Sequence, residues 1–410
     1  PMEWEAWKLK EPDAKALLAY YKELGFNRLA TELRAEVAKK MEKARKQRML
    51  FDMGDEDDEE VVVDRSGLYL EETTWQGKYE LVDTPVKLSE FLAALRSCTR
   101  FAFDVITEEQ NPRHSKLVGM SFCWQTGRGY YLPVLGPEHQ KLLPEAELLK
   151  KLKRVFEDGN IQKVGHDLKF EMAWLHHQGI RLQGVSGDAR VASYLLHAGE
   201  RTHSLADLSR RHLDHNPVPR TRLTGEGKLT RRLVAVDTPE MAQHFGEESD
   251  IAWRLCEQLE KELVDAQLQK VYQELEIPLI PVLMEMEETG ITLHVDLLRE
   301  LSREYTAEAR ALEEEIYRLA GRRFNVDSPI QLREILFVEL KLPKGKKTAQ
   351  TGEASTNQEV LEALAAEGYE LPNKIIAYRQ RTKLQSTYLD GLPAQVDMQT
   401  GRLHCQFNQT

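Results

Sequence analysis

The chain has 410 residues, 41% hydrophobic and 30% charged, with a formal net charge of −11, a length that suits two or three domains with ample core-forming residues. No run of roughly eighteen apolar residues occurs, which excludes a helical membrane span. The acidic balance excludes wholesale attraction to nucleic acid but leaves room for local basic patches. The polar start PMEWEAWKLKEP does not read as a signal peptide, and Pro1 ahead of Met2 is unusual for a natural start. The four cysteines, Cys98, Cys123, Cys256 and Cys405, are far apart with no CxxC spacing. They therefore suit a reducing cytoplasm, not a zinc site or a disulfide scaffold.

Taken in chain order, EPDAKALLAYYKELGF places Leu17, Leu18, Tyr21 and Leu24 at helical spacing, with Gly25 as a stop. A second helical stretch of mixed charge follows, so 1–51 is expected as a helical linker segment. The run 52-DMGDEDDEE-60 holds seven acids in nine residues. Such self-repulsion predicts a disordered linker over 52–66. Residues 67–265 are expected as one α/β domain. YELVD is a short strand, LSEFLAAL a helix, and RFAFDV, KLVGMSFCW and GYYLPV form a meander with a hairpin turn at Thr126–Gly129. The helices EAELLKKLKRVF, DLKFEMAWLHHQ, ARVASYLLH and SLADLSRRHL follow, and the long TPEMAQHFGEESDIAWRLCEQLEKEL closes the unit. Strands followed by helices make a mixed α/β layer fold. Residues 266–395 are expected to be mostly helical, and 396–410 to be a strand hairpin around Thr400-Gly401. Trp124, Trp174 and Trp253 lie in apolar periodic segments and are expected in the core.

The acids draw the functional reading. Asp104 ends an apolar strand, where an unpaired carboxylate is costly unless it sits at a mouth or meets a cation. Asp167 and Glu171 are four apart and would share a helix face. Glu247, Glu248 and Asp250 follow His244 on another helix, and Asp188 starts a third. A strand-end acid with helix-borne acids is the donor set that two hard divalent cations require for phosphodiester cleavage. A solvated acidic helix face is the plainer alternative for EESD.

These residues carry a resemblance. RFAFDVITEE, KVGHDLKFEMAWLHHQGI and HFGEESDIAWRL resemble, in order, the three exonuclease motifs of the bacterial family A DNA polymerases. GRRFNVDSPIQLREILF, KKTAQTGEASTNQEVLEALA and YRQRTKLQSTYLDGLP resemble the thumb and its approach to the palm. The resemblance runs over nearly the whole chain. It implies an α/β, ribonuclease H-like exonuclease domain (a mixed sheet with flanking helices), then a mostly helical thumb region and the start of a palm. It further implies DNA-templated DNA synthesis in a bacterial cytoplasm, with Mg2+, primer–template DNA and dNTPs. The palm aspartates and the nucleotide-binding fingers helix are expected from a C-terminal continuation or a second polypeptide.

Five of the six signature positions depart from the family pattern. Ile106 stands where a second acid follows Asp104, Asp167 replaces Asn, Glu171 replaces Asp, His244 replaces Tyr and Glu248 replaces Asp. Asp104, Glu171 and Glu248 are thus the expected remnants of the catalytic set, with Asp104 and Glu248 as candidate metal ligands. A missing ligand and lengthened reach disturb the placement that two-metal chemistry depends on, so a silent proofreading domain is expected. A rebuilt one-metal nuclease using Asp104, Asp167, Glu171, Glu248 and Glu108 is the alternative.

For duplex DNA, Lys341, Lys344, Lys346 and Lys347 with Thr348, Ser355 and Thr356 form a basic, hydroxyl-rich loop suited to phosphates. Arg379 and Lys383 lie four apart on a helix, with Thr387 a turn further. By resemblance they meet the primer–template backbone, and Arg381, Gln385 and Ser386 are further candidates. Tyr378 and Leu384 are expected in the core. Residues 200–232 hold eight Lys or Arg against four acids, which reads as a basic surface or a single-strand entry. His203, His212 and His215 fit no metal motif and are expected in surface or capping roles.

Overall fold

The computed structural model describes residues 75–225, 230–343 and 354–410, with Leu17, Tyr20, Tyr21, Leu29 and Leu33 as isolated helical positions. The acidic run 52–60 and most of loop 341–356, including Lys344, Lys346, Lys347 and Thr348, lie outside the described residues.

A six-stranded sheet organises the first half of the described chain. Its strands are β1 (Lys78–Leu81), β2 (Arg100–Thr107), β3 (Leu117–Gln125), β4 (Arg128–Pro133), β5 (Gln162–Gly165) and β6 (Val185–Asp188), in the spatial order β1-β4-β3-β2-β5-β6. β2, β3 and β4 are the expected antiparallel meander, while β1 adds parallel to β4 and β5 and β6 add parallel to β2. β5 (QKVG) and β6 (VSGD) escaped the sequence reading. Each has only four residues and neither alternates, as is usual for short parallel strands covered on both faces.

Alternation along β2 divides the layer. Phe101, Phe103 and Val105 are buried in the main core with Phe122 and Phe156, and the Phe103 and Phe156 rings lie 5.0 Å apart. Phe156 ends a helix, α2 (Glu145–Phe156), on that face; α1 (Pro85–Ser97) contributes Phe91 and Leu95. Ala102, Asp104 and Ile106 face the opposite way. There the long helix α6 (Thr238–Asp265) crosses the sheet, and Ile106 packs with Met241 and Phe245 of that helix. Backbone meets backbone at this crossing: a Cβ on Gly129 would stand 2.2 Å from the Gly246 carbonyl oxygen. The close approach fixes how α6 sits over the strands.

Three shorter helices fill the remaining edge: α3 (Leu168–His177), α4 (Ala189–Leu196) and α5 (Leu205–His212). The β5 pairing with β2 covers only Arg100–Ala102. Asp104 is therefore not the end of its strand, as the sequence suggested, since β2 runs on to Thr107. It sits where the neighbouring strand has stopped, and α3 comes over the gap.

The main core does not stop with α6. Tyr272, Ile277 and Ile280 belong to it, the last two from α7 (Ile277–Thr289). Beyond lie α8 (Val295–Ala320), α9 (Pro329–Glu334), α10 (Gln358–Ala366) and α11 (Glu370–Leu384). They enclose a second core around Ile316, Leu332, Leu336, Leu361 and Ile375. α10 starts at an Asn357 cap whose side chain accepts from Val360 N–H, a favoured N-terminal arrangement. Tyr378 is buried there as expected, but Leu384 is 39% exposed and is not core. Trp174 and Trp253 are buried; Trp124 is partly buried and stacks on Tyr130.

The expected hairpin around Thr400-Gly401 forms, with Val396 pairing antiparallel to Leu403 and Asp397 N–H donating to the Arg402 carbonyl at 2.9 Å. It is not left free: Leu403 also pairs with Ile291, accepting at 2.7 Å and donating at 2.9 Å. The residues after it lie along α7 and the exonuclease-like part. Phe407 N–H donates to Glu287 at 2.7 Å, Gln409 to the Glu276 carbonyl at 2.8 Å, and Arg190 to Thr410 at 3.0 Å.

Candidate active site and nucleic-acid interface

Asp104 and Glu171 meet in the gap left by β5. Register carries Asp104 opposite Ser121 and Ser121 opposite Tyr131 across β2, β3 and β4, so one polar row crosses the sheet beneath α6. Glu171 comes from the first turn of α3 and is only 4% exposed. Burial raises both carboxyl groups above their usual range, Glu171 well above, and the neighbouring Asp104 raises Glu171 further. Two like charges in a shared buried site resist ionising together. Ser121 Oγ, Tyr131 OH and Glu171 Oε2 are buried with no hydrogen-bond partner among the described residues.

Glu248 is close enough to raise Asp104 further, and it lies 3.5 Å from buried His244. Ile106 is 2% exposed and packs with Val118, Tyr131, Met241 and Phe245. It is an integral part of an apolar cluster, not a plug at the edge of an open site. Arg220, which sequence reasoning did not single out, also reaches this place. Its guanidinium lies 5.6 Å from the Phe245 ring centroid and favours the ionised form of Asp104. The only sequence signal for it was the basic composition of 200–232.

The other acids are elsewhere. Asp167 does not share a helix face with Glu171. It is the N-cap of α3 at φ 72°, bound to Arg190 at 2.7 Å, because the chain must turn sharply from β5 into the helix. Asp188 is a buried helix cap, accepting from Arg190 N–H, Val191 N–H and Leu168 N–H. Tyr272 OH clamps its backbone on both sides. Asp250 is fully buried and bound to Arg254, the Gly127 N–H and Tyr79 OH. Glu247 pairs with His215 at 2.7 Å, and Glu108 with Arg232 at 2.5 Å. The EESD run thus splits around the helix, and only Glu248 faces Asp104. His203 and His215 are buried and take internal partners, Ser193 and Glu247; the surface reading fails for them.

The helical region divides its candidates in a similar way. Ser355 and Thr356 are 8% and 7% exposed, so their side chains are not a phosphate-facing surface in this structure. Ser355 Oγ accepts from Asn357 N–H. Arg379 is drawn inward, donating to the Thr356 carbonyl at 2.7 Å, and burial lowers its affinity for a proton. Gln385 turns to Thr306 of α8 at 2.7 Å, and Arg381 pairs with Glu308 and lies over Tyr305. Lys383, Ser386 and Thr387 are exposed. Of the residues expected on the duplex, these and Lys341, also exposed, are the described ones presented outward.

Comparison with known proteins agrees with this layout. Residues 79–264 match a family described as 3'-5' exonuclease, and residues 295–410 match DNA polymerase family A. Two curated relatives are both DNA polymerase I. The one from Rhizobium leguminosarum is 37% identical over 80% of this chain and 34% of its own length. The one from Pseudomonas aeruginosa is 32% identical over 97% of this chain and 42% of its own length. A solved structure, described as the POL domain of Pol1 from M. smegmatis in complex with DNA primer-template and dNTP, superposes with a TM-score of 0.64. It is 27% identical, and the match covers 80% of this chain and 52% of that one. A 3'-5' exonuclease-type sheet domain and a polymerase-type helical region therefore stand side by side. The chain belongs to the family A DNA polymerases, of the DNA polymerase I type. It spans between a third and about two-fifths of the length of these curated relatives.

Proposed function

We propose that the chain is the part of a bacterial, cytoplasmic replication and repair polymerase that holds primer–template DNA through its helical region, beside an exonuclease domain that no longer cuts. The dNTPs, the polymerising centre and its Mg2+ belong, on this reading, to palm and fingers outside the 410 residues. One observation carries the silent-exonuclease part: Ile106 is built into the apolar cluster under α6, while burial holds the Glu171 carboxyl well above its usual range. A pair of hard cations needs several ionised oxygens converging on it. Asp167 and Glu108, which a rebuilt one-metal site would need, are held by Arg190 and Arg232. The donor set does not fit a metal pair.

The test is degradation of a mismatched primer terminus with Mg2+ or Mn2+. The expected result is no cleavage above background. Cleavage that disappears in Asp104→Ala would establish a working nuclease instead. For the DNA grip, Lys383 and Thr387 present a phosphate-binding face. Contacts of that kind fix position without reading bases, so their loss is expected to weaken all duplex sequences alike.

A further inference from the structure

Away from the carboxylate pocket, three elements bring donors of a different kind together. His197 is the C-terminal cap of α4, His212 ends α5 and Glu262 lies near the end of α6. Their side-chain donor atoms all lie within 4.8 Å of one another. His212 Nδ1 is 3.2 Å from Glu262 Oε1, and the two imidazole rings are tilted with centroids 5.9 Å apart. Tetrahedral zinc holds nitrogen and oxygen at about 2.0–2.2 Å, so two of its ligands stand somewhat over 3 Å from each other. The His212–Glu262 pair already has that spacing. A ring nitrogen of exposed His197 lies within 4.8 Å of both.

The backbones that carry the three residues are fixed. His197 N–H donates to the Ser193 carbonyl at 2.9 Å, and its own carbonyl accepts from Glu200 at 3.0 Å. Leu208 anchors α5, and Leu259 and Leu263 anchor the end of α6, all in the main core. Gln258 donates to Glu262 Oε1 at 2.9 Å. That is the outer-shell hydrogen bond that orients a carboxylate ligand.

We propose that His197, His212 and Glu262 form a binding site for one zinc-class divalent cation, which ties the ends of α4 and α5 to α6. Two imidazoles and one carboxylate are a three-ligand set that leaves a position for water, and imidazole selects zinc over magnesium. The cluster escaped the sequence reading because its members are 15 and 50 residues apart, measured from His197 to His212 and from His212 to Glu262. No local motif spans such distances.

The experiment titrates chelator-treated full chain with zinc chloride, followed by calorimetry and by thermal unfolding. Expected are one zinc per chain, a higher unfolding midpoint, and an affinity at least about tenfold weaker in His197→Ala, His212→Ala and Glu262→Gln. His139→Ala, at a solvent-facing histidine elsewhere, is expected to bind as the parent does. Magnesium chloride is expected to give no saturable rise in midpoint. His197→Ala perturbs an exposed side chain and keeps the test independent of folding defects at the other two. Parent-like zinc affinity in His197→Ala and Glu262→Gln, or no stoichiometric binding by the parent, overturns the site.

Discussion

The carboxylate pocket beneath α6 and the helix α11 with its continuation were both marked by family-like sequence motifs, yet they end differently. In the pocket the marked residues turn inward. Glu171 is buried beside Asp104, Ile106 joins an apolar cluster, and Asp167 is taken by Arg190. On α11 the marked residues are shared out: Arg379 is spent on the Thr356 carbonyl, while Lys383 and Thr387 stay outside. A motif specifies side chains along an element, but neighbours decide which remain available. A functional surface can survive the loss of half its members, whereas a cage of converging ligands cannot.

The sharpest way to break this contrast is Ile106→Glu. Placing a carboxyl among Met241, Phe245 and Val118 is expected to cost about 3 kcal/mol or more in denaturant unfolding, as for other buried unpaired charges. An unchanged midpoint would mean that the position opens to water or cations. Recovery of stability on adding Mn2+, with new nuclease activity, would show that this residue alone keeps the site silent.

Next in size is Arg379→Ala. Its hydrogen bond to the Thr356 carbonyl ties α11 to the start of α10, and loss of such a charge-assisted bond is expected to cost about 1.5–3 kcal/mol. If the variant keeps its stability and instead loses DNA affinity, Arg379 swings outward on binding, and the division drawn on α11 disappears.

Glu171→Gln tests the pocket through pH. A carboxyl held above its usual range binds a proton more tightly folded than unfolded. It therefore withdraws stability as pH rises through and beyond the ordinary carboxyl value. The amide variant has no such group, so its stability relative to the parent is expected to grow from about pH 4.5 upward. A parallel pair of stability–pH curves would place Glu171 in solvent.

The smallest effect belongs to Lys383→Ala. Folding stability should be untouched, while duplex affinity falls for every sequence and the salt dependence drops by about one unit of slope. An unchanged salt slope would remove this lysine from the DNA surface.

Much of the layer architecture was legible, because the apolar, aromatic-rich runs RFAFDVIT and LVGMSFCW and the helical spacing in EAELLKKLKRVF are strong local signals. The missed strands, QKVG and VSGD, are too short to carry a period. The site was legible at Asp104, Glu171 and Glu248, whose acidic character and order survive in the motifs. It was illegible at Asp167, because a left-handed cap breaks the helix-face argument one residue before the helix begins. At Asp250 and Glu247 the problem was different: four consecutive helical residues point in different directions, and only the sheet beneath decides which faces the pocket. Arg220 and the depth of Ser355 depend on tertiary contacts that no local pattern encodes.

Tyr272, Ile277 and Ile280 insert into the same core as the sheet, and Tyr272 OH grips the Asp188 backbone. Excising the sheet domain as dispensable would strip the apolar side of α7, the element that leads into the helices downstream. The sheet domain is thereby a foundation for α7 whether or not it cuts, and selection can retain it on mechanical grounds alone.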